Sequence, residues 1–144
     1  MAITSKTIKY GVITIGVLGF LFITVILAFI LYESKKDISN EEPYVSFLNK
    51  PHQLKTVSTL RWHKDNLRFS HYSLEVNDDS NYNDEDVKSV KQYQPGDVIT
   101  FHAAKSYFSN HVEESYYLIG RDTLETGEVV EFQYYYTPNT LPFN

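Results

Sequence analysis

Residues 11–32, GVITIGVLGFLFITVILAFILY, carry no charged side chain. As a helix rising about 1.5 Å per residue, these 22 residues reach roughly 33 Å, enough to cross a hydrocarbon core of about 30 Å. A cleavable secretory signal has an apolar core of about 7–15 residues and then a small-x-small cleavage site. This run is longer and closes on Phe29, Ile30, Leu31 and Tyr32. It therefore reads as an uncleaved signal-anchor set in the lipid bilayer, with Tyr10 and Tyr32 as interfacial aromatics. A core helix of this length would show a polar face, and none is present.

Orientation follows from the flanks. Lys6 and Lys9 precede the run, and Lys35 and Lys36 follow it. The head, residues 1–10, has no acid, whereas Lys35 and Lys36 sit among Glu33, Asp37, Glu41 and Glu42. By the positive-inside count the two flanks tie, and the free amino terminus of an acid-free head tips the expectation toward a cytoplasmic head and an extracytoplasmic C-terminal domain on a cell (inner) membrane. The chain divides into the head (1–10), the transmembrane helix (11–32), a charged linker (33–43), a β domain (44–137) and an extended tail (138–144).

From Pro43 onward nine Lys and Arg stand against fourteen Asp and Glu, a balance that repels phosphate backbones and excludes nucleic acid as a natural partner. Seventeen aromatics in the same segment suffice for the core of one small domain. No cysteine occurs, which removes disulfides, thiolate nucleophiles, cysteine zinc sites and thiolate copper centres. The chain also lacks an Asn-x-Ser/Thr acceptor, which points to a bacterial rather than a glycosylated ectodomain.

The domain has the alternation of half-buried strands. TVSTLRW and LRFSHYSLEV read as a hairpin closed by His63–Asn66, with Trp62 facing Leu67 and Leu60 facing Phe69 in one apolar cluster. Pro95-Gly96 marks a tight turn. With Ser109-Asn110 as the next turn, Phe101 lies opposite Leu118, Ala103 opposite Tyr116 and Lys105 opposite Glu114. In GEVVEFQYYY, Val130, Phe132, Tyr134 and Tyr136 share one side, and Glu131 and Gln133 the other. A short helix fits Asp84–Gln92. Five or six strands after one membrane helix predict a small all-β domain, an antiparallel sandwich or open barrel.

Residues 77–88, NDDSNYNDEDVK, hold five acids and three asparagines. Asp79, Asn81, Asn83 and Glu85 match alternate positions of a calcium loop, but Asp84 stands where glycine is required and Val90 where the bidentate glutamate belongs. A solvated connection is the expectation. The five histidines, His52, His63, His71, His102 and His111, show no helical ligand spacing, although His71 and His102 could pair across strands. No Gly-x-Ser-x-Gly, phosphate-cradling loop or His-Glu-x-x-His occurs, and Glu113 and Glu114 point to opposite faces of a strand. Neither metal nor cofactor is expected, and no enzymatic activity.

Binding remains. Gly16 and Gly19, and Thr24 and Ala28, put small residues on the membrane helix where a second helix packs closely. Leu141 and Phe143 in the tail must dock or stay exposed. These features predict a non-catalytic accessory subunit whose partners are integral membrane proteins. The alternative is a tethered module for a soluble protein, peptide or glycan, and a calcium-dependent enzyme is the third reading.

Overall fold

The computed structural model describes residues 5–138 and 141–144. Two compact units result: one ends at Glu33 and includes residues 109–113, and the other comprises 34–108 and 114–144.

In the first unit α1 spans Ser5–Ile30. Its stretch Val12–Ile30 is long and apolar enough to cross a membrane, and every residue in it is exposed. A signal sequence meets the same criterion of length and composition. The two threonines turn their hydroxyls back onto the helix, Thr14 to the Tyr10 carbonyl and Thr24 to the Phe20 carbonyl, both at 2.9 Å. That leaves no side-chain donor of theirs to satisfy in lipid. The Asn110 side-chain amide donates to the carbonyl of Phe29, in the last helical turn, where carbonyls lack intrahelical partners.

Eight strands occur among the described residues: β1 (Glu33–Asp37), β2 (Pro51–Gln53), β3 (Ser58–His63), β4 (Tyr72–Val76), β5 (Val87–Tyr93), β6 (Val98–Ser109), β7 (Val112–Thr123) and β8 (Val129–Tyr135). They form one open sheet in the order β1-β6-β7-β8-β4-β3-β5, with β2 beside the first residues of β6. The β2–β6, β3–β4, β3–β5 and β7–β8 ladders are antiparallel, and β4–β8 is parallel. The fold is thus an apolar N-terminal helix followed by an all-β domain built on an open, mostly antiparallel sheet.

One face of the sheet holds the main core. Along β8 the alternation buries Val130, Phe132 and Tyr134 on the same side, joined by Tyr136 beyond the strand and by Phe101, Leu118, Leu60 and Leu74 from neighbouring strands. A 3-10 helix at Tyr44–Phe47, Leu54 and the tail cover this face. Phe143 is buried, its ring 4.8 Å from His52, 5.5 Å from Phe101 and 5.7 Å from Tyr134 between centroids. Main-chain bonds fix it there: Lys55 N–H donates to Pro142 O (2.8 Å), and Asn144 N–H to Gln53 O (3.1 Å).

Several expectations require correction. Residues 33–37 of the expected linker form an edge strand beside β6, and the Ile38 N–H continues that pairing by donating to Ala104 O. The first hairpin has a longer loop, because β3 pairs with residues 72–76 and sets Leu60 opposite Leu74 and Trp62 opposite Tyr72. Phe69 and Ser70 serve β8 instead: the Phe69 N–H donates to Gln133 Oε1 (2.9 Å) and Ser70 Oγ to Glu131 O (2.5 Å). The expected four-residue cluster therefore does not form. Leu60 lies in the main core, Phe69 packs with Tyr107, Tyr117 and Ile119 on the opposite face, and half-buried Trp62 lies under the Lys88 ammonium. The expected helix at 84–92 is mostly β5, paired with β3. Asp84 accepts the N–H groups of Asp86 (3.0 Å) and Val87 (2.7 Å) as a helix cap would, yet the chain leaves as a strand. The β6–β7 turn is Asn110-His111, one residue later than expected, and the Lys105 ammonium lies 5.4 Å from the Phe69 ring centroid.

Candidate functional site

The parallel pair β4–β8 joins the antiparallel group β5-β3-β4 to the consecutive strands β6-β7-β8. Its ladder has two residue pairs, Tyr72 with Phe132 and Ser73 with Gln133. Past that point the two chains leave in opposite directions. After β4 the Asp78 N–H donates to Val57 O on the β3 side, and after β8 the Tyr136 N–H donates to Tyr116 O on the β7 side. Adjacent parallel strands whose continuations diverge leave a crevice at their carboxyl ends. Here it measures about 710 Å³, within the range of small-molecule and peptide-sized sites.

Main-chain groups line its walls. The His63 N–H donates to His71 O, so by alternation His71, Ser73 and Glu75 face β3, while Leu74 and Val76 face the crevice. Tyr136 bonds to β7, so Tyr134 also faces β7 and Tyr135 faces the crevice. The β4–β8 ladder ends before these groups meet.

Side chains above and below the sheet complete the site. On the outer face stand His63, Ser73, Glu75, Gln133, Tyr117 and Tyr135; on the core side Leu74, Tyr134, Leu141 and Pro142; Lys55, Thr56, Asn77 and Thr137 stand around them. Ser73 Oγ donates to Glu75 Oε1 at 2.7 Å, since an ionised carboxylate only accepts. The 2.9 Å contact between His63 Nε2 and Ser73 Oγ is therefore donated by the imidazole. Burial pushes His63 below its ordinary pKa, with Glu75 opposing and Arg61 reinforcing the shift. Its neutral form leaves Nδ1 as the acceptor. Burial raises Tyr134, an effect its hydrogen bond with Thr137 opposes. Gln133 is 7% exposed, and its Oε1 is held by the Phe69 N–H. The Thr56 hydroxyl is buried without a partner among the described residues.

This array does not have the polarity of an activated serine nucleophile. The Ser73 hydroxyl directs its proton at Glu75, the imidazole offers Ser73 an N–H rather than a lone pair, and Ser73 is 6% exposed. A serine nucleophile needs the opposite polarity, with the base accepting its proton.

The other sequence candidates are dispersed. Gly16 and Gly19 face open space, with no atom within 4 Å of where a methyl group would stand, and exposed Ala28 lies one turn beyond Thr24. Leu141 lines the crevice while Phe143 is buried beside it in the core. His71 does not meet His102: His71 Nδ1 donates to His63 O, whereas His102 Nε2 lies 3.1 Å from Glu131, which also binds Arg121. Buried His52 donates to Phe47 O, and His111 is exposed at a turn. In the acidic loop Asp78 pairs with Arg61, and Glu85 and Asp86 with Lys64. No group of three or more metal-ligating side chains gathers among the described residues.

Sequence reasoning misses His63, Ser73, Glu75 and Gln133 as a group. The correct β3–β4 register would bring the first three together. Alternation alone puts Gln133 on the outer side with Glu131, where its place between buried Ile119 and Ser73 and its bond to Phe69 accompany its burial. No protein-family model, curated protein or solved structure matches the chain.

Proposed function

We propose that the chain is a non-catalytic membrane-tethered binding module, its head cytoplasmic and its β domain outside the cytoplasm. The observation that carries this reading is the β4–β8 crevice, where the ladder stops after two residue pairs and polar side chains converge inside an otherwise well-packed sheet. The decisive experiment compares what co-purifies after gentle detergent extraction from three strains. Gln133→Trp, which fills the crevice, should lose ligands that the wild type retains, and an unrelated membrane helix in place of residues 11–32 should not. Loss only on helix replacement would reverse the assignment. Placement has its own test. A cysteine at Ser80, in a chain that has no other, should react with a membrane-impermeant thiol reagent in intact cells.

The accessory-subunit reading draws support from α1, whose Gly16 and Gly19 offer open surface for a packing helix. Under it, a Gly16→Leu, Gly19→Leu pair expels the protein from its complex but not from the membrane. A control pair at Ile23 and Ile26 does neither.

A further inference from the structure

We infer that the β4–β8 crevice takes an extended peptide that adds to the free strand edges through its main chain. This rests on the binding-module reading and specifies its ligand. The crevice lies where β4 and β8 part, and residues of both strands line it. Beyond the last ladder pair, which uses the Leu74 N–H, the Leu74 C=O and Val76 on one side and Tyr135 on the other turn main-chain groups toward it. An extended peptide supplies N–H and C=O groups at the matching strand spacing, as in other strand-addition sites. It would also satisfy groups that are costly to leave unpaired.

The side-chain environment fits the same occupant. A peptide strand projects alternate side chains to the two faces of the sheet. Here the core side of the crevice is apolar, with Leu74, Tyr134 and Leu141, and the outer side sets Glu75 and Gln133 among the Tyr117 and Tyr135 rings. Lys55 and Glu75 both line the crevice, and beside Glu75 the carboxylate and the domain's excess of acids favour a basic residue. The ligand class is therefore an extended segment alternating apolar and basic residues. No helix N-terminus is among the lining residues to favour an anion.

The test uses the purified full-length protein in detergent micelles and the blocked pentapeptide acetyl-Val-Lys-Val-Lys-Val-amide. Calorimetry should register sub-millimolar binding. The same peptide N-methylated at its central Val and the following Lys keeps charge and composition but loses one N–H toward each edge. Its binding should be at least about tenfold weaker, as expected for two lost hydrogen bonds. Val76→Pro removes an N–H aimed at the crevice and should weaken the parent peptide. If that variant fails to fold, the N-methyl comparison on the unaltered protein decides. Equal affinity for both peptides, or no binding at about 1 mM, would overturn the inference. Binding of maltotriose instead, lost in Gln133→Trp, would also overturn it while leaving the binding module in place.

Discussion

Strand β8 has two edges, and they differ in nearly everything. Toward β7 it pairs over seven residues, from Tyr117 with Tyr135 to Thr123 with Val129; toward β4 it pairs over two. The long ladder is antiparallel between neighbours joined by a short loop, so register and connection agree. The short one is parallel between strands whose ends are drawn apart. One edge builds the core, and the other leaves main-chain groups outside its two-pair ladder. Under the binding-module reading, stability and binding fall to opposite sides of a single strand.

Substitutions should separate the two sides. The largest effect belongs to the closed edge. Phe132 is fully buried, and Phe132→Ala should cost about 3–5 kcal/mol in denaturant unfolding. Gly120 faces Phe132 across the ladder, and a methyl there would lie 2.2 Å from Phe132 Cζ. Gly120→Ala should cost about 1–3 kcal/mol by overpacking; a neutral result would mean the ring moves freely.

A smaller effect is pH-dependent. Burial holds His63 and His102 below their ordinary pKa, with Arg121 and Lys105 adding to the shift at His102 and Glu131 opposing it. As pH falls, the unfolded chain takes up these protons first, so this part of the stability is intact above the ordinary histidine value. It is lost on acidification toward the depressed folded values. The unfolding midpoint should fall between about pH 7 and about pH 5, and fall less in a His63→Gln, His102→Gln variant. The smallest effect on stability belongs to the open edge. Tyr135 is 56% exposed. Tyr135→Ala should shift stability by less than about 0.5 kcal/mol and still weaken ligand binding in calorimetry. A loss of stability matching that at Phe132 would erase the distinction between the edges.

The closed edge is legible in sequence and the open one is not. Apolar alternation in GEVVEFQYYY marks the buried side of β8, and Pro95-Gly96 marks a turn where Gly96 takes φ +97°. Both signals are local. The register of β3 with β4 is misread because HKDN is a good local turn. Phe69 and Ser70 escape that turn through bonds to β8, the first spanning 64 residues of sequence. Likewise Asp84 caps locally, but tertiary pairing with β3 makes the following residues a strand. The crevice depends on a parallel pairing between distant segments, which no periodicity within either segment encodes.

The contact between Gly120 and Phe132 also bears on how the sequence can drift. Neither position can change freely while the other stays, because the ring occupies the volume that any side chain at 120 would need. Among descendants of this chain, a larger residue at 120 should arrive only after or together with a smaller one at 132. The two positions form a single unit of inheritance.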